Sequence, residues 1–179
     1  MIEIRIHGRG GQGSVTMAEL IAEAVFYDGK FSQAFPNFGV ERRGAPVVAY
    51  VRIDNKYIRL RSQVYSPNFV IIQDASLIDG VDVFAGLKKG ATVLVNASKM
   101  SESINLPEGV NLKIISGTDL AMRIIGRPII NTILLGAFAG LSGLISMKSV
   151  EKAIRERFKG EIADKNVEAA KTGWELIKK

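Results

Sequence analysis

The sequence predicts one α/β domain spanning residues 1–179. It reads as a three-layer α/β/α fold on a mostly parallel mixed sheet, with an antiparallel β-hairpin inserted after the first βα unit. Three observations carry this reading. The runs 69–72, 91–95 and 112–115 are short and mostly apolar, close on polar residues, and lead into helical patterns, as buried parallel strands do. The strand-like run 2–7 passes through Gly8-Arg9-Gly10-Gly11-Gln12-Gly13 into apolar residues at helical spacing. The runs 47–53 and 57–61 are joined by Asp54-Asn55-Lys56, and in the second Ile58 and Leu60 alternate with Arg59 and Arg61, the pattern of a half-exposed hairpin strand.

Taken in order, a first strand over 2–7 is followed by a helix over 14–28, in which Val15, Ala18, Ile21, Ala22 and Val25 recur at helical spacing and Ser14 can serve as the cap. Residues 30–38 read as extended, ending at a Pro-Asn turn. Gly39 and Gly44 make 39–46 a loop. The hairpin and the three apolar strands come next. The last third is helical, over roughly 118–125, 129–144, 147–158 and 162–178. Gly136 and Gly140, one helical turn apart, allow the second of these helices to approach another backbone closely. The longest uncharged run, 128–147, is too polar and glycine-rich for a membrane span and reads as a buried or interface helix.

The chain has no cysteine and one histidine, His7. That excludes a thiolate-ligated iron–sulfur cluster, a structural zinc knot, a disulfide, a thiol nucleophile and a His-rich metal site within it. His7 ends the first strand and is expected to be structural rather than catalytic. No basic-then-apolar signal segment opens the sequence, so the expected location is the cytoplasm. The net charge of +6 is uneven: residues 40–63 hold six basic residues (Arg42, Arg43, Arg52, Lys56, Arg59, Arg61) against Glu41 and Asp54. A solvated face, an acidic partner or a phosphorylated ligand would each account for this. No zinc finger, RNP-type aromatic pair or heptad-linked basic region accompanies the charge, and neither nucleic acid nor membrane is expected as a partner.

Gly8, Gly10 and Gly13 satisfy G-x-G-x-x-G between a strand and a helix, a setting in which backbone N–H groups meet phosphate. Three owners of the loop are open. A dinucleotide site also needs a carboxylate ending the second strand; Asp28 lies at the right distance but falls at a helix end, and residues 36–38 offer none. A P-loop needs lysine where Ser14 stands. Alternatively, the glycines only let the helix pack against the sheet. The function classes that follow from the first and last of these are a stand-alone NAD(P)-binding oxidoreductase and a non-catalytic scaffold or interaction domain.

Two stretches together, Gly8-Arg9-Gly10-Gly11-Gln12-Gly13 and Pro36-Asn37-Phe38-Gly39-Val40-Glu41-Arg42-Arg43-Gly44-Ala45-Pro46, resemble the gamma subunit of 2-oxoacid:ferredoxin oxidoreductases, the pyruvate synthase group. The later Asp74 after an apolar strand fits as well, and the likeness covers essentially the whole chain. Phe38 and Ala45 depart from more distant members, where tyrosine and glycine are frequent. The resemblance implies a required but non-catalytic subunit that covers the active site of a complex with alpha, beta and delta subunits. Such a complex converts a 2-oxoacid and coenzyme A to acyl-CoA and CO2, with ferredoxin as electron acceptor. Thiamine diphosphate, magnesium and 4Fe–4S clusters are then expected in the partner subunits, with coenzyme A as the substrate this chain helps to hold. On that reading the backbone of Gly10, Gly11 and Gly13 approaches coenzyme A and Gln12 offers a polar contact. Arg42 and Arg43, with Glu41 beside them, touch phosphate or pair with a partner subunit.

Overall fold

The structure, a computed structural model, describes residues 1–37, 43–99 and 106–178. Among these, six strands form one sheet in the order β2-β3-β1-β4-β5-β6: β1 (Ile2–Arg9), β2 (Phe31–Asn37), β3 (Pro46–Asp54), β4 (Phe69–Ile72), β5 (Thr92–Asn96) and β6 (Asn111–Ile115). Five helices accompany it: α1 (Ser14–Tyr27), α2 (Gly117–Ile124), α3 (Asn131–Ser142), α4 (Met147–Arg157) and α5 (Gly160–Lys178). β1, β4, β5 and β6 run parallel, and β3 lies antiparallel between β2 and β1.

Register sorts the residues between two faces, because alternate side chains of a strand point to opposite sides. Ala49, Ile6, Ile71 and Leu94 stand side by side across β3, β1, β4 and β5, and all four join the large core under the helices. The neighbouring row of Arg5, Val70 and Val93 faces the other way. There a smaller core of Val70, Ile72, Val93 and Val95 is closed by Leu77, Val83 and irregular chain with a single 3-10 turn, Ala75–Leu77. The third layer is therefore thin, and all five helices contribute to or pack beside the first core.

The hairpin forms with a different partner from the expected one. Residues 57–61 are not a strand. Both edges of β3 are already taken, by β1 over 46–53 and by β2 over 48–54, so no ladder position is left for them. The inserted antiparallel pair is β2–β3. Ser14 does not cap α1 either: Gly13 holds the cap position at φ 78°, and the Ser14 hydroxyl donates to Gln73 Oε1 at 2.5 Å. Gly136 and Gly140 do mark a close helix crossing. A Cβ at Gly136 would fall inside contact distance of the Ala170 carbonyl of α5, and one at Gly140 would lie 2.8 Å from the Trp174 carbonyl oxygen.

Candidate functional site

β1 is the point at which the chain's order across the sheet reverses: after it the path goes out to β2 and β3 on one side, then to β4, β5 and β6 on the other. Open α/β sheets bind ligands in the crevice beyond the carboxyl ends of the strands at such a point. Here that crevice is walled by the glycine loop after β1, Gln73 and Asp74 after β4, Asn96 at the end of β5 and Thr118 at the start of α2.

The loop is held open by specific bonds. The Arg9 guanidinium reaches Asp74 Oδ2 (2.9 Å), Ser76 Oγ (2.7 Å) and the Gly44 carbonyl (3.1 Å). Gln12 folds back, its Oε1 accepting from the Arg9 N–H at 2.7 Å and its Nε2 donating to Asp74 Oδ2 at 3.3 Å. Partial burial raises the Asp74 carboxyl, but the hydrogen bonds from Ser76, Arg9 and Gln12 outweigh it and hold the group below its ordinary value. On the far side Asn96 donates to the Gln73 carbonyl (2.9 Å) and to Thr118 Oγ1 (3.0 Å).

The glycines divide by cause. A side chain on Gly8 would strike Ser14 Oγ and Gln73 Oε1, so Gly8 serves packing. Gly13 combines positive φ with an Asn131 side chain 2.8 Å from where its Cβ would be. Gly11 is different. It is exposed, has φ +94°, and a Cβ there would meet nothing nearer than Arg43 Cγ at 4.0 Å.

The two sequence motifs meet here. Gly10 N–H donates to the Ala45 carbonyl (2.9 Å) and Gly44 N–H to the Gly10 carbonyl (3.1 Å), which stitches the end of the second motif onto the first. Arg43 is thereby brought over Gly11, at the edge of a cleft of about 650 Å³ shared by Gly10, Gly11, Gln12, Asp74, Asn96, Lys99 and Thr118. A second cleft of about 540 Å³ lies on the other side of the loop, between Thr16, Arg127, Ile129, Phe158 and Ile162. In front of α1 itself is a hollow of about 270 Å³ lined by Gly10, Gly11, Gly13, Ser14 and Thr16. Glu41 and Arg42 lie outside the described residues. Sequence reading missed Asn96 and Lys99, at and just after the end of β5, and Thr118 of α2, which come from two separate segments and carry no local motif. Arg9 was legible only as a variable position within the glycine signature.

Asp28 is not a ribose ligand. Its carboxylate accepts from Ser146 N–H, Ser146 Oγ and Ser149 Oγ at 2.6–2.7 Å, capping α4. It sits at the far end of α1, about 20 Å of helix from the glycine loop. Among the described residues, no group of three or more His, Asp or Glu side chains is placed to hold a metal ion, and no helix is long and apolar enough to cross a membrane.

Fold and site together define an α/β domain with a glycine-rich loop at the reversal point of its sheet. The chain belongs to the gamma-subunit family of pyruvate and related 2-oxoacid:ferredoxin oxidoreductases. The family model for pyruvate ferredoxin/flavodoxin oxidoreductase matches residues 3–176. The chain is 54% identical over 178 residues to the pyruvate synthase subunit PorC of Methanothermobacter marburgensis, covering 99% of this chain and 98% of that one. It is 51% identical to the common gamma subunit of the pyruvate/ketoisovalerate oxidoreductases of Pyrococcus furiosus, over 98% and 96% of the two chains. The crystal structure of the pyruvate oxidoreductase subunit PORC of Thermotoga maritima superposes with a TM-score of 0.85 at 35% identity, covering 97% of this chain and 95% of that one.

Proposed function

We infer that the chain works as the gamma subunit of a complex that converts a 2-oxoacid, pyruvate first among them, and coenzyme A to acyl-CoA and CO2 with reduction of ferredoxin. On this reading it covers an active centre built in alpha, beta and delta subunits, which hold thiamine diphosphate, magnesium and the iron–sulfur clusters. Its own contribution is to grip the phosphates of coenzyme A. The observation that carries this is the placement of Arg43 over the exposed backbone of Gly11, beside the hollow in front of α1. A helix N-terminus offers unpaired N–H groups and a partial positive charge, and a guanidinium can bind phosphate through two parallel bonds. Lys99 adds a point charge on the same cleft. Gln12 is already engaged by Arg9 and Asp74, so its part is to set the loop rather than to reach outward.

The test is steady-state kinetics of the assembled oxidoreductase. Losing one charge-assisted phosphate contact costs about 1.5–3 kcal/mol, so Arg43→Ala should raise the KM for coenzyme A about tenfold or more and leave the KM for the 2-oxoacid unchanged. Gly11→Val should act in the same direction. If both variants assemble and keep the wild-type KM for coenzyme A, the chain has no part in its site. If Arg43→Ala instead releases the chain from its partners, Arg43 is a contact between subunits.

A further inference from the structure

The basic stretch noted in the sequence is only partly used by the cleft. Residues 55–66 contain Lys56, Arg59 and Arg61 and no acidic residue. Among the described residues, none of these three cations has an ion-pair partner. The segment is not loose. It leaves β3 beside Phe31, where Tyr57 packs edge-on against the Phe31 ring at 6.3 Å. It returns to the other end of β2, where Gln63 Nε2 donates to Asn37 Oδ1 at 2.8 Å and the Gln63 carbonyl accepts from Arg52 at 3.1 Å. Six residues of extended chain cover about 20 Å, the length of β2 itself, so the segment is a strap laid over the face of β2 and β3 that points away from the helices. Its own Ile58 and Val64 are buried.

What the strap presents outward is unusual for a solvated surface. Tyr57 is 67% exposed, Tyr65 70% and Leu60 47%, interleaved with the three cations. Exposed tyrosine and arginine held on a pinned backbone are what the anchors of protein interfaces are made of. The two tyrosines and the leucine are clustered within residues 57–65 rather than scattered singly, and a phosphate site would need a concavity, whereas none of the clefts described above includes a strap residue.

The geometry points to the strap 55–66 as a docking surface for another subunit of the same oxidoreductase, one that presents a carboxylate-rich, partly apolar face. This rests on the chain acting as a subunit. It is independent of the coenzyme A site, which lies at the loop after β1. Charge complementarity supplies the choice of occupant: three cations that have no ion-pair partner among the described residues, with the neighbouring Asp54 already paired to the N-terminus, repel a second copy of the same strap and steer an acidic face.

The test uses the complex as it exists, co-expressed with its other subunits, carrying either the wild-type chain or Lys56→Glu/Arg59→Glu/Arg61→Glu. Hydrogen exchange over 55–66 should be slower in the assembled wild-type complex than in the free chain. The reversed chain should keep the circular dichroism of the wild type, because all three side chains are exposed. It should co-purify at least tenfold less well at low salt, and a milder Arg59→Gln/Arg61→Gln chain should fall between. Equal co-purification with unchanged salt sensitivity, or exchange over 55–66 as fast in the complex as in the free chain, overturns the assignment. So does normal assembly of the reversed chain together with loss of wild-type binding to DNA or to anionic vesicles, which would give the strap to those partners. Failure of the wild-type chain to join any complex overturns the subunit reading and the strap with it. A changed KM for coenzyme A with normal assembly and fast exchange sinks the strap alone.

Discussion

Acidification should destabilise this chain through one side chain. His7 lies in β1 on the sheet face away from the helices, 4% exposed, with Nε2 buried and unpartnered among the described residues. Burial, with the Arg5 guanidinium two residues away on the same face, pushes its pKa down to about 3, from 6.5 when unperturbed. The folded chain therefore holds a neutral imidazole at pH 5, while the unfolded chain has taken up a proton. A base whose folded pKa is depressed stabilises the fold above its unfolded value and loses that contribution as pH falls towards the folded value. Between 6.5 and 5 there are 1.5 pH units at about 1.4 kcal/mol each, a loss of about 2 kcal/mol. The loss continues until about pH 3. Urea unfolding of the isolated chain at pH 7, 6 and 5 reads it directly. Since His7 is the only histidine, His7→Leu should abolish the dependence over that range, and carboxyl contributions common to both chains cancel in the comparison. Equal losses in wild type and variant between pH 7 and 5 would refute the argument.

Two further changes probe the frame that holds the site. Gly136→Ala forces a methyl against the backbone of α5 at Ala170, which cannot swing aside as a side chain could. It should cost about 3 kcal/mol or more by thermal unfolding, and a loss under 1 kcal/mol would mean the two helices do not cross so closely. Asp28→Ala removes the acceptor for Ser146 and Ser149 at the start of α4 and should cost about 1 kcal/mol in urea, without moving the KM for coenzyme A. A shift in that KM would bring Asp28 back as a ligand residue.

The parts of the fold legible in the sequence were those in which local pattern and tertiary setting agree. The run 69–72 is apolar throughout because β4 is central and covered on both faces, and the glycine loop was visible because no other residue type satisfies Gly8, Gly11 and Gly13 at once. Residues 57–61 misled because their alternation is genuine while their ladder partner is absent: β1 and β2, both earlier in the chain, occupy β3. Ser14 misled because a serine at a helix start can cap or can reach outward, and Gln73, 59 residues on, decides which. At the site, the two motifs could be read as a pair, but nothing local says that Arg43 stands over Gly11. That contact depends on the antiparallel register carrying the 43–46 turn to the mouth of β1. Lys99 and Thr118 were invisible for the same reason. The strap appeared in the sequence as a hairpin strand and an excess of charge, and its exposed tyrosines took on meaning once both of its ends were seen tied to β2.

The bonds that Arg9 makes have a consequence for binding energetics. A stretch with four glycines in six residues is among the most mobile a chain can contain, and freezing each residue of backbone costs about 1–2 kcal/mol. Arg9 and Gln12 complete that freezing when the protein folds, through Asp74, Ser76 and Gly44. An arriving phosphate would then meet donors already aimed, and little of its binding energy would go into ordering the receptor. The loop gains the close approach that glycine permits without retaining the floppiness that glycine brings.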